Sequence, residues 1–286
     1  MLEQERLIAR VRAACRDDER LTAALMYGSF AAGEGDAHSD IEFWLFFDPE
    51  RHGTVDPAAW CERIAPVRLL VLNEFGTHVA FFPGPVRGEF HFTSFADLGA
   101  VRSWPARGAA VERMVVKDRG GALAAALRAV PERPAAPDSG EVAALCGRFA
   151  NWLVLAERVA ARGEWLRAWD ALAHAQRHLA WLARLAEGRT QHWLTPSRAA
   201  ERDLSAPAAE ALRSATCAAG PGELPGALRA AWWAGRRYWT RLGTPAPADF
   251  LAELDALFAP APGPAPTPPA RPAAPPAPAS TPRMDA

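Results

Sequence analysis

The sequence predicts an α+β protein: a mixed β-sheet with flanking helices, then an α-helical bundle, then a disordered Ala/Pro-rich tail. Three observations carry that prediction. Short apolar runs separated by Gly- and Pro-containing turns crowd residues 20–95, and long helical periodicities run from Ser139 to Glu187. Of the chain's 26 prolines, 11 fall between Pro260 and Ala286, a segment too poor in apolar surface to offset its ordering entropy. The expected domains are 1–135, 138–258 and 259–286. The first boundary falls at Arg133-Pro134-Ala135-Ala136-Pro137-Asp138, where composition changes.

Taken in order, Leu7, Ile8, Val11 and Ala14 give Leu2–Cys15 one apolar helical face with charges opposite. Thr22–Tyr27 is a short apolar strand. Ile41–Phe47 is apolar nearly throughout, the signature of a central strand covered on both faces. Val67–Leu72 and His78–Phe82 follow as strands, the latter bounded by Gly76 and by Pro83-Gly84-Pro85. Val86–Phe92 alternates, with Arg87, Glu89 and His91 on one face and Gly88, Phe90 and Phe92 on the other. Beyond the linker, Ser139–Arg162 and Glu164–Glu187 read as long amphipathic helices joined at Gly163. Weaker helical patterns cover 195–219, 223–242 and 247–258.

Composition narrows the chemistry. The formal net charge is −1, so no global basic excess advertises nucleic acid. Lys117 is the single lysine, and neither Gly-Lys-Ser/Thr nor Gly-x-Gly-x-x-Gly occurs, which excludes a Walker-type P-loop. Cys15, Cys61, Cys146 and Cys217 are scattered, as in a cytosolic protein with reduced thiols. The charged N-terminus lacks a signal peptide's apolar centre, and no run matches a membrane helix. A cytoplasmic protein with no membrane partner is expected.

The informative constellation is Met26-Tyr27-Gly28-Ser29-Phe30, then Asp36, then Ser39-Asp40-Ile41-Glu42 at the head of the second strand. Acids at i and i+2 of a strand share a face, ~7 Å apart. Such a pair suits divalent cations, and a Gly-Ser turn can bring backbone donors to phosphate. Gly28 permits close approach, while Ser29, with Ser39, is a candidate phosphate ligand. Glu89 is the candidate third carboxylate, as metal ligand or general base, because an idle carboxylate among apolar strand neighbours is costly. Asp40, Glu42 and Glu89 are thus the candidate catalytic and metal-binding residues. Asp36 is read as shaping its loop. The bland reading, a turn and a solvated edge, fits each half alone but not the coincidence of both.

These motifs resemble the polymerase-β-type nucleotidyltransferase superfamily. With Gly33-Glu34-Gly35-Asp36, Asn73-Glu74-Phe75-Gly76-Thr77, Arg87-Gly88-Glu89-Phe90-His91-Phe92 and Arg162-Gly163-Glu164-Trp165, the chain is similar to lincosamide nucleotidyltransferases over about residues 1–245. The resemblance implies transfer of AMP from ATP to a hydroxyl of lincomycin or clindamycin, an antibiotic-resistance activity. It implies Mg²⁺ held by Asp40, Glu42 and Glu89 (two ions), Glu89 as base, Gly28-Ser29 as phosphate turn, and a homodimer. Glu42 departs from the Asp common in the superfamily, and the tail has no counterpart.

Two rivals stand beside it: the same chemistry on an aminoglycoside, protein or tRNA, and a non-catalytic scaffold with a Pro-rich docking tail. His174 and His178, four apart on a helix, lack the third ligand of a metal site and read as packing residues. Trp152, Trp165, Trp169 and Trp181 read chiefly as bundle core, with a share available to a partner or an apolar substrate ring. His91 is a candidate for lining the acceptor site. Arg148, Arg158 and Arg162 could reach a nucleotide but read first as solvated.

Overall fold

The computed structural model describes residues 1–260; the tail beyond lies outside them, and with it nearly all of the segment expected to be disordered. The chain divides into two compact units. One comprises Met1–Asp138 with Thr190–Arg198; the other comprises Ser139–Arg189 and the chain from Ala199.

The first unit is built on a six-stranded sheet. Its strands are β1 (Leu21–Met26), β2 (Ile41–Phe47), β3 (Leu69–Leu72), β4 (His78–Phe82), β5 (Val86–Ser94) and β6 (Val115–Asp118), in the order β3-β4-β5-β2-β1-β6. Only the β2–β5 pair is parallel, so the sheet is mixed as expected. The two centremost strands carry the core: Phe43, Leu45, Phe47 and Phe90 have lost essentially all exposure. Phe43 stacks on Phe90 with centroids 5.9 Å apart, and truncating either would cost about 3–5 kcal/mol.

Helix α1 (Glu3–Asp17) buries Leu7, Ile8, Val11 and Ala14, the stripe read from its spacing. Short helices α2 (Gly28–Ala32), α3 (Pro57–Glu62), α4 (Val111–Met114) and α5 (Ala122–Arg128) and a 3₁₀ stretch at Phe95–Ser103 fill the connections. The expectation of one helix and strands ending near residue 95 missed β6. That strand has four half-buried residues and only two apolar side chains, too little for periodicity to register. The lone lysine sits there: Lys117 Nζ donates to the Cys15 and Asp18 carbonyls at 2.7 Å, closing the C-terminus of α1. Asp18 ties the same corner. It accepts from Arg20 and Arg63, each at 2.9 Å, and from Trp60 Nε1 at 3.2 Å.

The second unit is helical: α6 (Ser139–Ala160), α7 (Trp165–Glu187), α8 (Ala200–Asp203), α9 (Ala206–Ser214), α10 (Leu224–Arg241) and α11 (Ala248–Leu257). Leu145, Phe149, Leu153, Leu179, Leu182 and Trp232 form its interior. Trp152 stacks on His174 at 4.3 Å, and His178 Nδ1 lies 2.8 Å from the His174 carbonyl, so both histidines are packing groups. Trp169 is nearly half exposed, with its indole N–H donating to Cys217. The helix expected across 195–219 is broken. Pro196 lies in a run of turns, and Ser205, whose hydroxyl accepts from Ala208 N–H, starts α9 afresh.

All four cysteines are free thiols. No helix among the described residues is long and apolar enough to cross a membrane.

Candidate active site

The parallel pairing of β2 with β5 places Glu42 directly opposite Glu89, with Ile41 opposite Gly88. Alternation puts Glu42, Glu89 and Arg87 on one face, and Asp40 enters just ahead of β2 beside Arg87. The three carboxylates picked from the sequence therefore meet at one end of the sheet. Burial first, then Glu89 and Asp40, push the Glu42 carboxyl up to about 7, and burial likewise raises Asp40 against the pull of Arg87. Like charges gathered in a half-buried place favour a cation between them.

That cation is, in this arrangement, a guanidinium. Arg87 donates from Nη1 to Asp40 and from Nη2 to Glu89 Oε1, the latter at 2.6 Å. Sequence alternation put Arg87 on the face of Glu89 but gave it no role, and only the strand register brings it against Asp40.

The Gly-Ser turn also differs in detail from its expected use. Gly28 opens α2 with φ +70°, and the Tyr27 N–H is stitched to the Glu42 carbonyl at 3.0 Å. The Glu42 carboxylate lies directly over Gly28: a Cβ there would sit 1.4 Å from Oε2. Only glycine tolerates both the backbone conformation and this approach. The Ser29 N–H donates to Glu42, and Ser29 itself is buried. One of the donors expected for phosphate is thus answered by a carboxylate of the metal pair.

Ser39 turns inward to its own loop. Its Oγ donates to Asp36 Oδ1 at 2.9 Å and accepts from Asp36 N–H at 3.1 Å, and His38 N–H also reaches Asp36. Asp36 shapes the loop, as its sequence position suggested. Nothing in this arrangement turns Ser39 toward the carboxylates.

Beneath the carboxylates, His91 Nε2 lies 3.2 Å from the Tyr27 hydroxyl and 3.3 Å from Thr77 Oγ1, with Trp44 stacked at 4.7 Å. Burial pulls the His91 pKa down. Because Tyr27 immediately precedes Gly28, this aromatic group supports the turn from below. Arg158 and Arg162, on the second unit, are well exposed.

The donor set fits a hard divalent cation in chemistry, being all carboxylate oxygen. It does not yet form a closed shell: among the described residues no three His, Cys, Asp or Glu side chains stand ready to hold an ion. The cause is visible, since Arg87 spans Asp40 and Glu89 while Glu42 is bound to the turn. A metal entering here would take over the neutralising role of Arg87.

With that geometry established, comparison with known proteins adds the following. Residues 139–246 match the family described as lincosamide nucleotidyltransferase-like, C-terminal domain. The second unit is therefore of the nucleotidyltransferase class, and its particular match is to the lincosamide branch named from the sequence motifs. Among solved structures, the chain is similar to an aminoglycoside 6-adenyltransferase from Bacillus subtilis, at 14% identity and TM-score 0.40, covering 90% of this chain and 96% of that one. It is also similar to a nucleotidyltransferase-like protein from Exiguobacterium sibiricum, at 12% identity and TM-score 0.35, covering 86% and 80%. No functionally curated protein sequence matches.

Proposed function

We propose that the protein transfers AMP from ATP to a hydroxyl of a lincosamide antibiotic, releasing pyrophosphate. The observation that carries the reading is the register of Glu42 against Glu89 on adjacent parallel strands, beside Asp40 and the Gly28-Ser29 turn. The family match of residues 139–246 supports the lincosamide as acceptor.

Mg²⁺ held by Asp40, Glu42 and Glu89 would neutralise the triphosphate and stabilise the oxygens that attack and leave. Glu89 takes the proton from the acceptor hydroxyl. That oxygen bonds to the α-phosphorus as the bond from phosphorus to the bridging oxygen of the β-phosphate breaks, and pyrophosphate leaves with the pair. Ser29 N–H, released when Glu42 turns to metal, holds the terminal phosphates. Arg87, released in the same exchange, remains a cation beside the reacting group.

A homodimer in the cytoplasm belongs to the same proposal. Leu69, Val71, Leu72 and Phe75, exposed on the β3–β4 hairpin, offer apolar surface for it. Light scattering of the purified protein tests that part.

The test of the activity is pyrophosphate release from Mg·ATP with clindamycin present. Release with kanamycin and not clindamycin would replace the acceptor and keep the chemistry. No release with any acceptor would favour the scaffold reading.

A further inference from the structure

The nine residues Thr190–Arg198 belong to the first unit although they follow α7 in the chain. They fold as consecutive turns, with Trp193 N–H bonded to Thr190 O, Thr195 N–H to His192 O and Arg198 N–H to Thr195 O, at 2.9–3.1 Å. Their anchor is Glu34. Its carboxylate accepts from Arg198 Nη2 at 2.9 Å and lies 3.2 Å from His192 Nε2.

Glu34 is itself tied to the phosphate turn. Gly33 ends α2 in the left-handed conformation, and the Glu34 N–H bonds the Ser29 carbonyl at 2.9 Å. So Arg198 is held one hydrogen bond from the segment carrying Ser29, and its positive field reaches Glu42. The other guanidinium near this turn, Arg113, donates to the Phe30 carbonyl and closes the far end of α2.

A triphosphate placed on the turn brings several negative charges to a site already holding three carboxylates. Arg87 is engaged by two of those carboxylates. A five-residue helix offers little dipole of its own, so a second cation is needed where the β- and γ-phosphates lie.

We propose that Arg198 binds the terminal phosphates of the nucleotide, positioned by its ion pair with Glu34, a role that rests on the nucleotidyl-transfer reading above. Arg198 is about 38% exposed at its side chain, open enough to meet a ligand yet tethered on one edge of the guanidinium. Glu34 acts through Arg198 and is a positioning residue.

The test is direct binding, by titration calorimetry on the full chain with Mg·ATP, pyrophosphate and AMP as separate probes. Arg198→Ala is expected to weaken Mg·ATP and pyrophosphate ~10–100-fold, the usual loss for a charge-assisted hydrogen bond, while leaving AMP binding unchanged. In turnover, KM for ATP should rise and KM for the acceptor should not. Arg198→Lys keeps the charge and the tie to Glu34, so it should fold normally and lose affinity by a few fold. Glu34→Gln should raise the Mg·ATP dissociation constant while the charge of Arg198 remains.

If Arg198 is only a latch for the 190–198 segment, both Arg198→Ala and Glu34→Gln lower the melting temperature with Mg·ATP affinity unchanged, and the proposal falls. Equal weakening of AMP and ATP would also overturn it, placing Arg198 off the terminal phosphates. Wild-type protein that binds no Mg·ATP would instead remove the nucleotide reading beneath it.

Discussion

Two carboxylate sites in the first unit share burial and differ in everything else. Asp18 at the end of α1 is almost inaccessible, yet Arg20 and Arg63 donate to it and the Trp60 indole adds a third bond. Burial alone would raise its pKa, but those donors win and hold it at about 2. Glu42 accepts from one backbone N–H and faces two other carboxylates, and its pKa is driven up to about 7. The first site is complete as folded. The second is left short of positive charge, with a single arginine between two of its three acids. A protein keeps such a deficit where a ligand is to supply what is missing.

The comparison can be broken most sharply at Glu89. Glu89→Gln should cut AMP transfer ~10²–10⁴-fold, with the melting temperature little changed. Near-normal turnover would remove Glu89 from the chemistry. The converse change, Asp18→Asn, should cost stability and spare the site. Removing the charge that two guanidiniums share should destabilise the protein by about 2–4 kcal/mol in urea unfolding, with kcat per folded molecule unchanged.

Gly28→Ala comes next. The added methyl would collide with the Glu42 carboxylate in a backbone conformation that L-residues disfavour, so a loss of about 1–3 kcal/mol is expected, together with weaker Mg·ATP binding. Full stability and full binding in that variant would show that the turn is not shaped as described.

The smallest effect has the opposite sign. Glu42→Gln should raise the stability of metal-free protein at pH 8 by about 1–2 kcal/mol, since it relieves a charge held among like charges. It should also abolish the stabilisation that added Mg²⁺ gives the wild type. The pH dependence separates the two carboxylates. Asp18, with its pKa lowered from 3.8, stabilises fully above that value and loses its contribution as pH falls toward about 2. Glu42, raised from 4.5, burdens the fold above about 7, and the burden lifts as pH falls from there toward 4.5. Metal-free wild type should therefore melt higher at pH 5.5 than at pH 8 by more than Glu42→Gln does.

What the sequence disclosed follows from how local each signal is. Ile41–Phe47 and His78–Phe82 match their strands because continuous apolar runs between turn residues need no tertiary information. The convergence of Asp40, Glu42 and Glu89 followed from period-two alternation and a parallel neighbour. The role of Arg87 did not, because it depends on the register that sets it beside Asp40. Ser39 looked like a phosphate ligand by position, but a side chain three residues from an Asp closes a local ring first. Arg198 was hidden altogether, since a charge 164 residues from Glu34 carries no local mark of its partner.

The detour of Thr190–Arg198 has a consequence for synthesis and for dissection. A ribosome delivering this chain in order cannot complete the sheet unit when Asp138 emerges; 60 more residues must follow before Arg198 exists to meet Glu34. A fragment cut at Asp138 would keep every strand and all three carboxylates, yet lack the segment that carries His192 and Arg198. Such a fragment would be a sheet with its acids intact and its phosphate-side cation missing, and joining the nine residues back through a short linker is the way to restore it.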